Sequence, residues 1–274
     1  MRRTAALIIA ALIAAAGTSA TGQATARTAP AADTAPAERT APARPHEVMF
    51  VGNNWDGTAT IIDAHSHRKI TTINTIPDKA ERMAEIAASP DKLAFYLAIQ
   101  QAVGEGHDQY TDDMFTTNNG RLVAVSRPSF ADVVGIDLAT NEIRWRFPME
   151  GYRADHMGIS PDGRRILVSD STANKVHELN LRTGEKLREF PSGDTPHENN
   201  YSRDGERIFH ASIGRVYTPV DQSVLGPIRD AAKGDRRLQI VDNDTFEIVK
   251  QWDIGEELAE AGYPGMSSAV RPMA

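Results

Sequence analysis

The sequence predicts an all-β protein, a β-propeller of four-stranded blades, of which about four are visible and the last is incomplete. Three observations predict this fold. Short segments rich in Val, Ile, Tyr and Phe alternate with turn residues, and a Ser-Pro-Asp-Gly-like turn recurs along the chain. The best copies of that turn are 42 residues apart, from Asp162 to Asp204. A propeller blade usually takes about 40 to 50 residues, so the spacing indicates one blade per repeat.

The clearest repeat runs from His156 to Phe190. From the inner strand to the outer edge, its four predicted strands are DHMGIS, RRILVSD, KVHELNL and EKLREF. Pro161 sets φ for the first turn, where Asp162 and Gly163 accept the remaining turn geometry. The next repeat supplies the strands HENNYS, RIFHAS, RLQIVDN and EIVKQWDI. A β-sandwich with similar hairpins is the alternative, but it does not predict the regular spacing.

The same turn motif extends the repeat toward the N-terminus. Residues 89–92, Ser-Pro-Asp-Lys, are interpreted as a third copy of the hairpin turn. The wider spacing on either side of the clear repeats predicts two insertions, at about residues 100–120 and 213–237. Residues 255–265, GEELAEAGYPG, are expected to form a short helical turn inside a loop.

The chain begins with a predicted export signal. Residues 1–26 combine two early arginines, an apolar run too short to span a bilayer, and small residues suited to cleavage, which is typical of a removed signal peptide. Residues 27–45 are rich in Ala, Thr and Pro and are expected to be a disordered linker. Residues 46–274 form the predicted propeller, which is expected to be partial. We therefore predict an extracytoplasmic protein, secreted or associated with the cell envelope, with no transmembrane segment in the mature chain.

Composition narrows the classes of partner. Residues 1–45 hold five of the 30 basic and two of the 37 acidic residues, so the remainder carries a formal net charge of −10. Such an acidic surface disfavours nucleic-acid binding, which depends on neutralising phosphates. The chain has no cysteine, which excludes disulfides, thiolate metal sites and a cysteine nucleophile. We expect a monomer.

The strongest repeats resemble those of the YVTN-type propeller family, to which the YncE-like exported bacterial proteins belong. The resemblance lies in ADHMGISPDGRRILVSDSTANKVHELNLRTGEKL and in PHENNYSRDGERIFHASIG, since family repeats commonly read P-[HG]-x-x-x-S-P-D-G before an apolar strand. The resemblance implies more blades than this chain can supply, because family members usually have seven. Some YncE-like relatives also suggest DNA binding, which the negative charge opposes.

The two ends of the propeller region are each predicted to lack part of a blade. Residues 47–76 supply three strands of a blade without an inner strand, whereas residues 265–270, GMSSAV, resemble an inner strand without followers. One expectation is a chain truncated at its C-terminus. The other is a four-bladed ring closed by pairing the two ends, which would hide both sheet edges. The family resemblance favours truncation.

The candidate binding residues lie where inner strands begin, because blade entrances line the central channel. His156 and His197 occupy this position in successive blades, beside Asp155 and Glu198. Two imidazoles with carboxylates could bind an anionic ligand or a metal. The alternative is structural, since the resembling repeats use this position routinely. We predict ligand binding at these four residues, without a metal or a cofactor.

Other clusters receive less functional weight. His65 and His67 share a face only if they lie on a strand, and they are expected to lie in a solvated turn beside two cations. The first insertion is interpreted as an acidic surface loop, because its spacing does not fit a calcium loop; its candidate ligands are His107, Asp108, Asp112 and Asp113. His177 and His210 lie on predicted strands and are expected to be packed there.

These observations leave three functional hypotheses. The favoured one is an exported noncatalytic binding or scaffold module for an unidentified protein, glycan or small ligand, such as a cell-envelope partner. The second is a propeller enzyme, lactonase-like or a cofactor-dependent oxidoreductase, that uses the channel histidines. The third is DNA binding, which the charge disfavours. No catalytic motif is present, so no catalytic residue is assigned.

Overall fold

The computed structural model describes residues 46–215 and 229–263. Within these ranges the chain forms fifteen strands in four antiparallel sheets, each with its strands in chain order. The predicted signal peptide and linker lie outside the described residues, as does the 265–270 segment on which ring closure depends. The sheets are named blades 1 to 4.

Blade 1 has three strands, and the other three blades have four each. Blade 1 consists of β1 (Val48–Asn53), β2 (Thr58–Asp63) and β3 (Lys69–Asn74). Blade 2 consists of β4 (Met114–Thr116), β5 (Leu122–Arg127), β6 (Asp132–Asp137) and β7 (Glu142–Pro148). Blade 3 consists of β8 (Ala154–Ile159), β9 (Arg165–Asp170), β10 (Lys175–Asn180) and β11 (Lys186–Pro191). Blade 4 consists of β12 (Pro196–Tyr201), β13 (Arg207–Ile213), β14 (Arg236–Asp242) and β15 (Ile248–Asp253).

The four-stranded repeat predicted from the sequence is confirmed in blades 3 and 4. The turn between β8 and β9 closes with a hydrogen bond from the Gly163 amide to the Ser160 carbonyl (2.8 Å), and Gly163 has φ of 66°. The corresponding turn in blade 4 has the same bond from Gly205 to Ser202 (2.9 Å). Glycine accepts this left-handed backbone without strain, so the motif produces the same hairpin twice.

The third predicted copy of the turn is wrong. Ser89 precedes a helix, α2 (Pro90–Ala102), which follows a second helix, α1 (Lys79–Ala87). Proline at the first helical position is also a helix-start signal, and the residues after it include Leu, Ala, Lys and Gln, which are strong helix formers. The insertion before blade 2 is therefore largely a pair of helices, which packs on Phe130 between β5 and β6.

Apolar side chains pack between neighbouring blades. Val123 and Val134 of blade 2 pack against Ala59 of blade 1, while the opposite face of blade 2 packs against Ile166 and Val168 of blade 3. Central strands are thus covered on both faces, which explains why all six residues of β5 are buried. Stacking of blades places the start of each inner strand next to that of its neighbour.

Two shorter helices follow in blade 4. The connection between β13 and β14 includes α3 (Arg229–Lys233), and the chain continues after β15 into α4 (Ile254–Glu260), where a helical turn was predicted. The Asp253 carboxylate accepts hydrogen bonds from the backbone amides of Gly255 and Glu256 and thereby caps α4. Of the helices in residues 46–215 and 229–263, none is long and apolar enough to cross a membrane.

Candidate functional site

The entrances of three inner strands converge on one group of polar side chains. Asp112 and Asp113 directly precede β4 of blade 2, Asp155 and His156 belong to β8 of blade 3, and His197 belongs to β12 of blade 4. We call these five residues the entrance cluster. Two overlapping sets of side chains, Asp155 with His156 and His197, and Asp112 with Asp113 and His156, each have donor atoms within 4.8 Å of one another.

In blades 3 and 4, a β-bulge in the inner strand sets the direction of the cluster side chains. The pairing of β8 with β9 passes from Ala154 opposite Asp170 to Met157 opposite Val168, so two residues of β8 face one residue of β9. The pairing of β12 with β13 shifts likewise at His197. A bulge turns side chains away from the regular alternation, and bulges are common beside functional sites.

Asp113 joins blade 2 to blade 3. Its Oδ2 atom lies 3.1 Å from His156 Nδ1 and accepts a hydrogen bond from the Met157 amide at 2.8 Å. Because Asp113 Oδ2 accepts the ring bond as a carboxylate oxygen, His156 Nδ1 carries the hydrogen. The second ring nitrogen, Nε2, is then directed toward blade 3, at 4.0 Å from Asp155 Oδ1.

Asp155 is the most deeply buried carboxylate of the cluster, with a side chain that is 1% exposed. Its Oδ2 atom accepts a hydrogen bond from Ser171 Oγ at 2.6 Å and is paired with Arg153. Its Oδ1 atom is buried and has no hydrogen-bond partner in the described residues. The carboxylate therefore presents one satisfied oxygen to the protein and one unsatisfied oxygen to the cluster.

His197 completes the group from blade 4. Its ring centroid lies 4.2 Å from that of His156, with 57° between the ring planes. The side chain is 13% exposed, and its backbone carbonyl accepts a hydrogen bond from Ser169 Oγ at 3.0 Å. Asn199, two residues further along β12, donates to the carbonyl of His156 at 3.3 Å. Hydrogen bonds from the Ser169 and Asn199 side chains to the two backbone carbonyls therefore hold His197 and His156 in place relative to each other.

The carboxylates create a strongly negative environment. Burial lowers the pKa of His156, but the hydrogen bond to Asp113 and the charges of Asp112 and Asp155 outweigh it, and the pKa rises to about 9. Burial, followed by the charge of Asp155, raises the pKa of Asp112 to about 6. Such displaced pKa values are typical of functional sites, although structural ion pairs also produce them.

The four sequence-predicted site residues are adjacent, and Glu198 lies at the edge of the group. Its Oε2 atom is 4.0 Å from His197 Nδ1, and burial raises its pKa. Asp112 and Asp113 were assigned to a surface loop, but both are partly buried within the cluster. The signal that could have identified them is their position directly before an inner strand, which matches that of Asp155 and His156.

The remaining candidate ligands from the sequence are not part of the entrance cluster; they are His65, His67, His107 and Asp108. His65 and His67 lie exposed in the hairpin after β2, where Asp63 Oδ1 accepts hydrogen bonds from the backbone amides of His65 and Ser66. Further along the chain, His107 stacks on Trp55 with a centroid distance of 3.8 Å. Asp108 accepts hydrogen bonds from the hydroxyls of Tyr96 and Tyr110, each at 2.6 Å. Asp108 is therefore engaged by tyrosines of the helical insertion and its loop.

A further group of possible ligands lies at the outer strands of blade 3 and the connection between β7 and β8. It consists of Glu150, His177 and Glu189. Lys175 and Lys186 each donate to both glutamates, at 2.6–2.8 Å. Because two ammonium groups already neutralise these carboxylates, this group is an ion-pair network. His210, the other strand histidine, is fully buried.

The fold is similar to that of a solved propeller structure. Hydrazine synthase from Kuenenia stuttgartiensis superposes with a TM-score of 0.51 at 16% sequence identity, covering 76% of this chain and 46% of that one. A chain of the mitotic checkpoint complex superposes with a TM-score of 0.46 at 11% identity, covering 73% of this chain and 46% of that one. This chain therefore spans less than half of each matched chain. No protein-family model and no curated protein matches it. The architecture is a β-propeller, and the YVTN-type resemblance stays a prediction.

Proposed function

We propose that this protein is a β-propeller binding module whose ligand site is the entrance cluster, and that the ligand carries positive charge. The observation that supports this most directly is the convergence of three separate blades on one point. Residues far apart in the chain supply three carboxylates and two imidazoles within a few ångströms. Ligand sites commonly combine a few polar side chains that converge from separate elements of the fold.

The charge of the cluster supports a cationic ligand. The neighbouring carboxylates hold a proton on His156 so strongly that its pKa rises to about 9. A bound cation would be stabilised by the same potential. The buried Oδ1 atom of Asp155, which has no hydrogen-bond partner in the described residues, adds a specific acceptor for it.

We also propose that the protein acts outside the cytoplasm, as its sequence predicts. Residues 1–26 carry the features of a signal peptide, so the ligand is proposed to be met outside the cytoplasm. This fold suits a binding or scaffold role, because the stacked blades hold the site residues in place while the exterior is proposed to meet a cell-envelope partner.

Thermal unfolding in the presence of cations tests the binding site. The full chain is titrated separately with Zn²⁺, Ca²⁺ and 1,4-diaminobutane. A ligand at 100 times its dissociation constant stabilises the native state by about 2.7 kcal/mol, which raises the Tm of a domain of this size by about 5–10 °C. We expect at least one cation to produce this shift. Asp155→Asn, which removes the buried negative charge, should lose the shift caused by any cation, whereas His156→Ala/His197→Ala should lose only a shift caused by a metal ion.

The matched control is the double variant His65→Ala/His67→Ala, which removes two exposed imidazoles from a distant turn. It should respond to cations as the wild type does. An equal shift in the Asp155→Asn variant would place the ligand elsewhere, and an unshifted wild type would refute the proposal.

A second candidate function is hydrolysis at the same cluster. Asp112 has a pKa of about 6 and lies beside His156, so the two residues could act as base and acid at neutral pH. Turnover of phenyl acetate and dihydrocoumarin by the wild type, abolished in His156→Ala, would favour this function. Equal rates in the two proteins would exclude it for these substrates.

A further inference from the structure

We infer that the entrance cluster binds one divalent transition-metal ion through Asp155 Oδ1, His156 Nε2 and a ring nitrogen of His197. This inference rests on the proposed function and names the chemical class of its ligand. It goes beyond the sequence prediction, which assigned these residues to ligand binding without a metal. The structure adds the atoms that face the site and the groups that orient them.

The first argument is the state of Asp155. A buried carboxylate needs partners for both oxygens, because an unpaired buried anionic oxygen is energetically costly. Ser171 and Arg153 satisfy Oδ2, whereas Oδ1 has no hydrogen-bond partner and lies 4.0 Å from His156 Nε2. A metal ion between Oδ1 and Nε2 would supply the missing partner.

The second argument is the orientation of His156. Metal-binding histidines nearly always donate their second ring N–H to a carboxylate, carbonyl or water, which fixes the tautomer and the ring plane. Asp113 Oδ2 accepts this bond from His156 Nδ1 at 3.1 Å and is itself held by the Met157 amide at 2.8 Å. Asp113 is thus a positioning residue, and Nε2 is the ligand atom, because the ion displaces the Nε2 proton to solvent when it binds.

The third argument is the rigidity of the support. His156 and His197 both lie on inner strands, and Asn199 Nδ2 donates to Ser169 Oγ at 2.8 Å while contacting the His156 carbonyl at 3.3 Å. Ser169 in turn donates to the His197 carbonyl at 3.0 Å. Sites whose ligands are fixed by packed neighbours and hydrogen bonds need little rearrangement to bind an ion.

The geometry and donor types narrow the class of ion. Metal–ligand distances of about 2.0–2.2 Å place tetrahedral donor atoms about 3.4 Å apart, so donors now within 4.8 Å must close by about 1 Å. Two imidazoles and one carboxylate favour Zn²⁺ and its transition-metal neighbours, whereas Ca²⁺ and Mg²⁺ prefer oxygen ligands. The side chain of His156 is 29% exposed, which leaves access for a water or a small ligand at a further coordination position.

Isothermal titration of the full chain with Zn²⁺ tests the inference, and the visible absorption of Co²⁺ reports the coordination of a substituted ion. We expect one Zn²⁺ per chain, with Ca²⁺ and Mg²⁺ bound at least about 100-fold more weakly. His156→Gln and His197→Gln keep a polar side chain but remove the imidazole. Each should weaken Zn²⁺ binding by more than about 100-fold and remove the Co²⁺ absorption.

Each variant is first compared with the wild type by circular dichroism and by its Tm without metal. The two glutamine variants lie in different blades, so one can carry the test if the other does not fold. The double variant His65→Ala/His67→Ala is the matched control and should bind Zn²⁺ as the wild type does. Wild-type Zn²⁺ affinity in both glutamine variants would overturn the inference.

A separate measurement tests whether Asp113 positions His156. Asp113→Asn should reduce Zn²⁺ affinity by about 10- to 100-fold while keeping the Co²⁺ absorption, because the three ligands remain. Asp113→Glu, which restores a carboxylate, should recover part of the affinity. Loss of the Co²⁺ absorption in Asp113→Asn would show that Asp113 is a ligand and would overturn the assigned ligand set.

The outcomes separate this inference from the proposed function. If neither Zn²⁺ nor Co²⁺ binds, but 1,4-diaminobutane raises the Tm of the wild type and not of Asp155→Asn, the metal site is overturned and the cation-binding function stands. If no cation binds the wild type, both are overturned.

Discussion

Asp113 and His156 belong to neighbouring blades, and their side chains meet with 3.1 Å between Asp113 Oδ2 and His156 Nδ1. The same oxygen accepts the Met157 amide at 2.8 Å. One carboxylate thus fixes the ring that faces the entrance cluster and also ties the start of blade 2 to the inner strand of blade 3. Site geometry and blade packing therefore depend on the same residue.

The double role of Asp113 predicts a loss of stability as well as of affinity. Asp113→Ala should lower the free energy of unfolding by about 2 kcal/mol, because it removes one charge-assisted hydrogen bond and one backbone bond. Urea unfolding measures this difference. Glu185→Ala, which removes an exposed carboxylate, should stay within about 0.5 kcal/mol of the wild type. Equal stability of the two variants would contradict the role assigned to Asp113.

Because blades 3 and 4 approach closely at Gly158, we predict that a side chain at this position destabilises the protein. A Cβ atom at Gly158 would lie 2.3 Å from the carbonyl oxygen of Asn199, which is backbone and cannot rotate away. Gly158→Ala should therefore cost about 2–3 kcal/mol of unfolding free energy. At Gly52 the nearest atoms are 3.4 Å from the added carbon, so Gly52→Ala is the control. The prediction fails if thermal or urea unfolding finds equal costs for the two substitutions.

A buried ion pair anchors the helical insertion to blade 2. Arg127 is 0% exposed and donates from Nε to Asp132 Oδ1 at 2.7 Å and from Nη1 to Asp78 Oδ1 at 2.6 Å, just before α1. Asp132→Asn should destabilise the protein by about 3–5 kcal/mol, because it leaves a buried cation poorly compensated. Urea unfolding measures the loss.

The control for the buried pair is the exposed pair of Arg144 and Glu142, whose charged atoms are 3.6 Å apart. Arg144→Ala should change the unfolding free energy by less than about 1 kcal/mol. A similar small change in Asp132→Asn would show that Asp132 does not stabilise the buried charge of Arg127.

Buried His210 predicts weaker folding in acid. It is 0% exposed; Nδ1 donates toward Asn199 Oδ1 at 2.8 Å and the Glu198 carbonyl at 3.0 Å, and Nε2 accepts from Ser212 Oγ at 3.1 Å. Burial lowers the pKa of His210 to about 3. The hydrogen bond to the Glu198 carbonyl opposes part of this lowering, and the charge of His197 adds a smaller lowering. The unfolded chain therefore binds a proton between about pH 6.5 and pH 3 that the native protein does not.

The stabilising contribution of neutral His210 is present above pH 6.5 and is lost as the pH falls toward 3, at about 1.4 kcal/mol per pH unit. His210→Gln removes this titration, so the difference in unfolding free energy between the wild type and this variant should shrink between pH 6.5 and pH 4.5. His65→Ala, at an exposed position, should leave the difference constant. A constant difference for His210→Gln would show that His210 is protonated in the native state.

The repeat in blade 3 was predictable because it depends on local chemistry. The turn at Ser160–Gly163 and the apolar strands around it require only backbone geometry and alternation, which adjacent residues encode. The same local logic failed at Ser89 and Pro90. A serine followed by proline starts either a hairpin turn or a helix, and the residues that follow decide between the two.

Only part of the candidate site could be predicted from the sequence. Asp155, His156, His197 and Glu198 lie in recognisable repeats, so their position at the start of inner strands followed from the repeat phase. Asp112 and Asp113 follow an irregular insertion, which hides their equivalence to the other inner-strand entrances.

The amino-acid sequence alone determined the blade as a unit, its four strands and its turns, because these features depend on neighbours within one repeat. Only the tertiary structure decided which blade entrances meet, how Asp113 orients His156, and which oxygen of Asp155 lacks a partner. These relationships join residues about 40 positions apart through bulges and stacked sheets, and no local pattern encodes such distances.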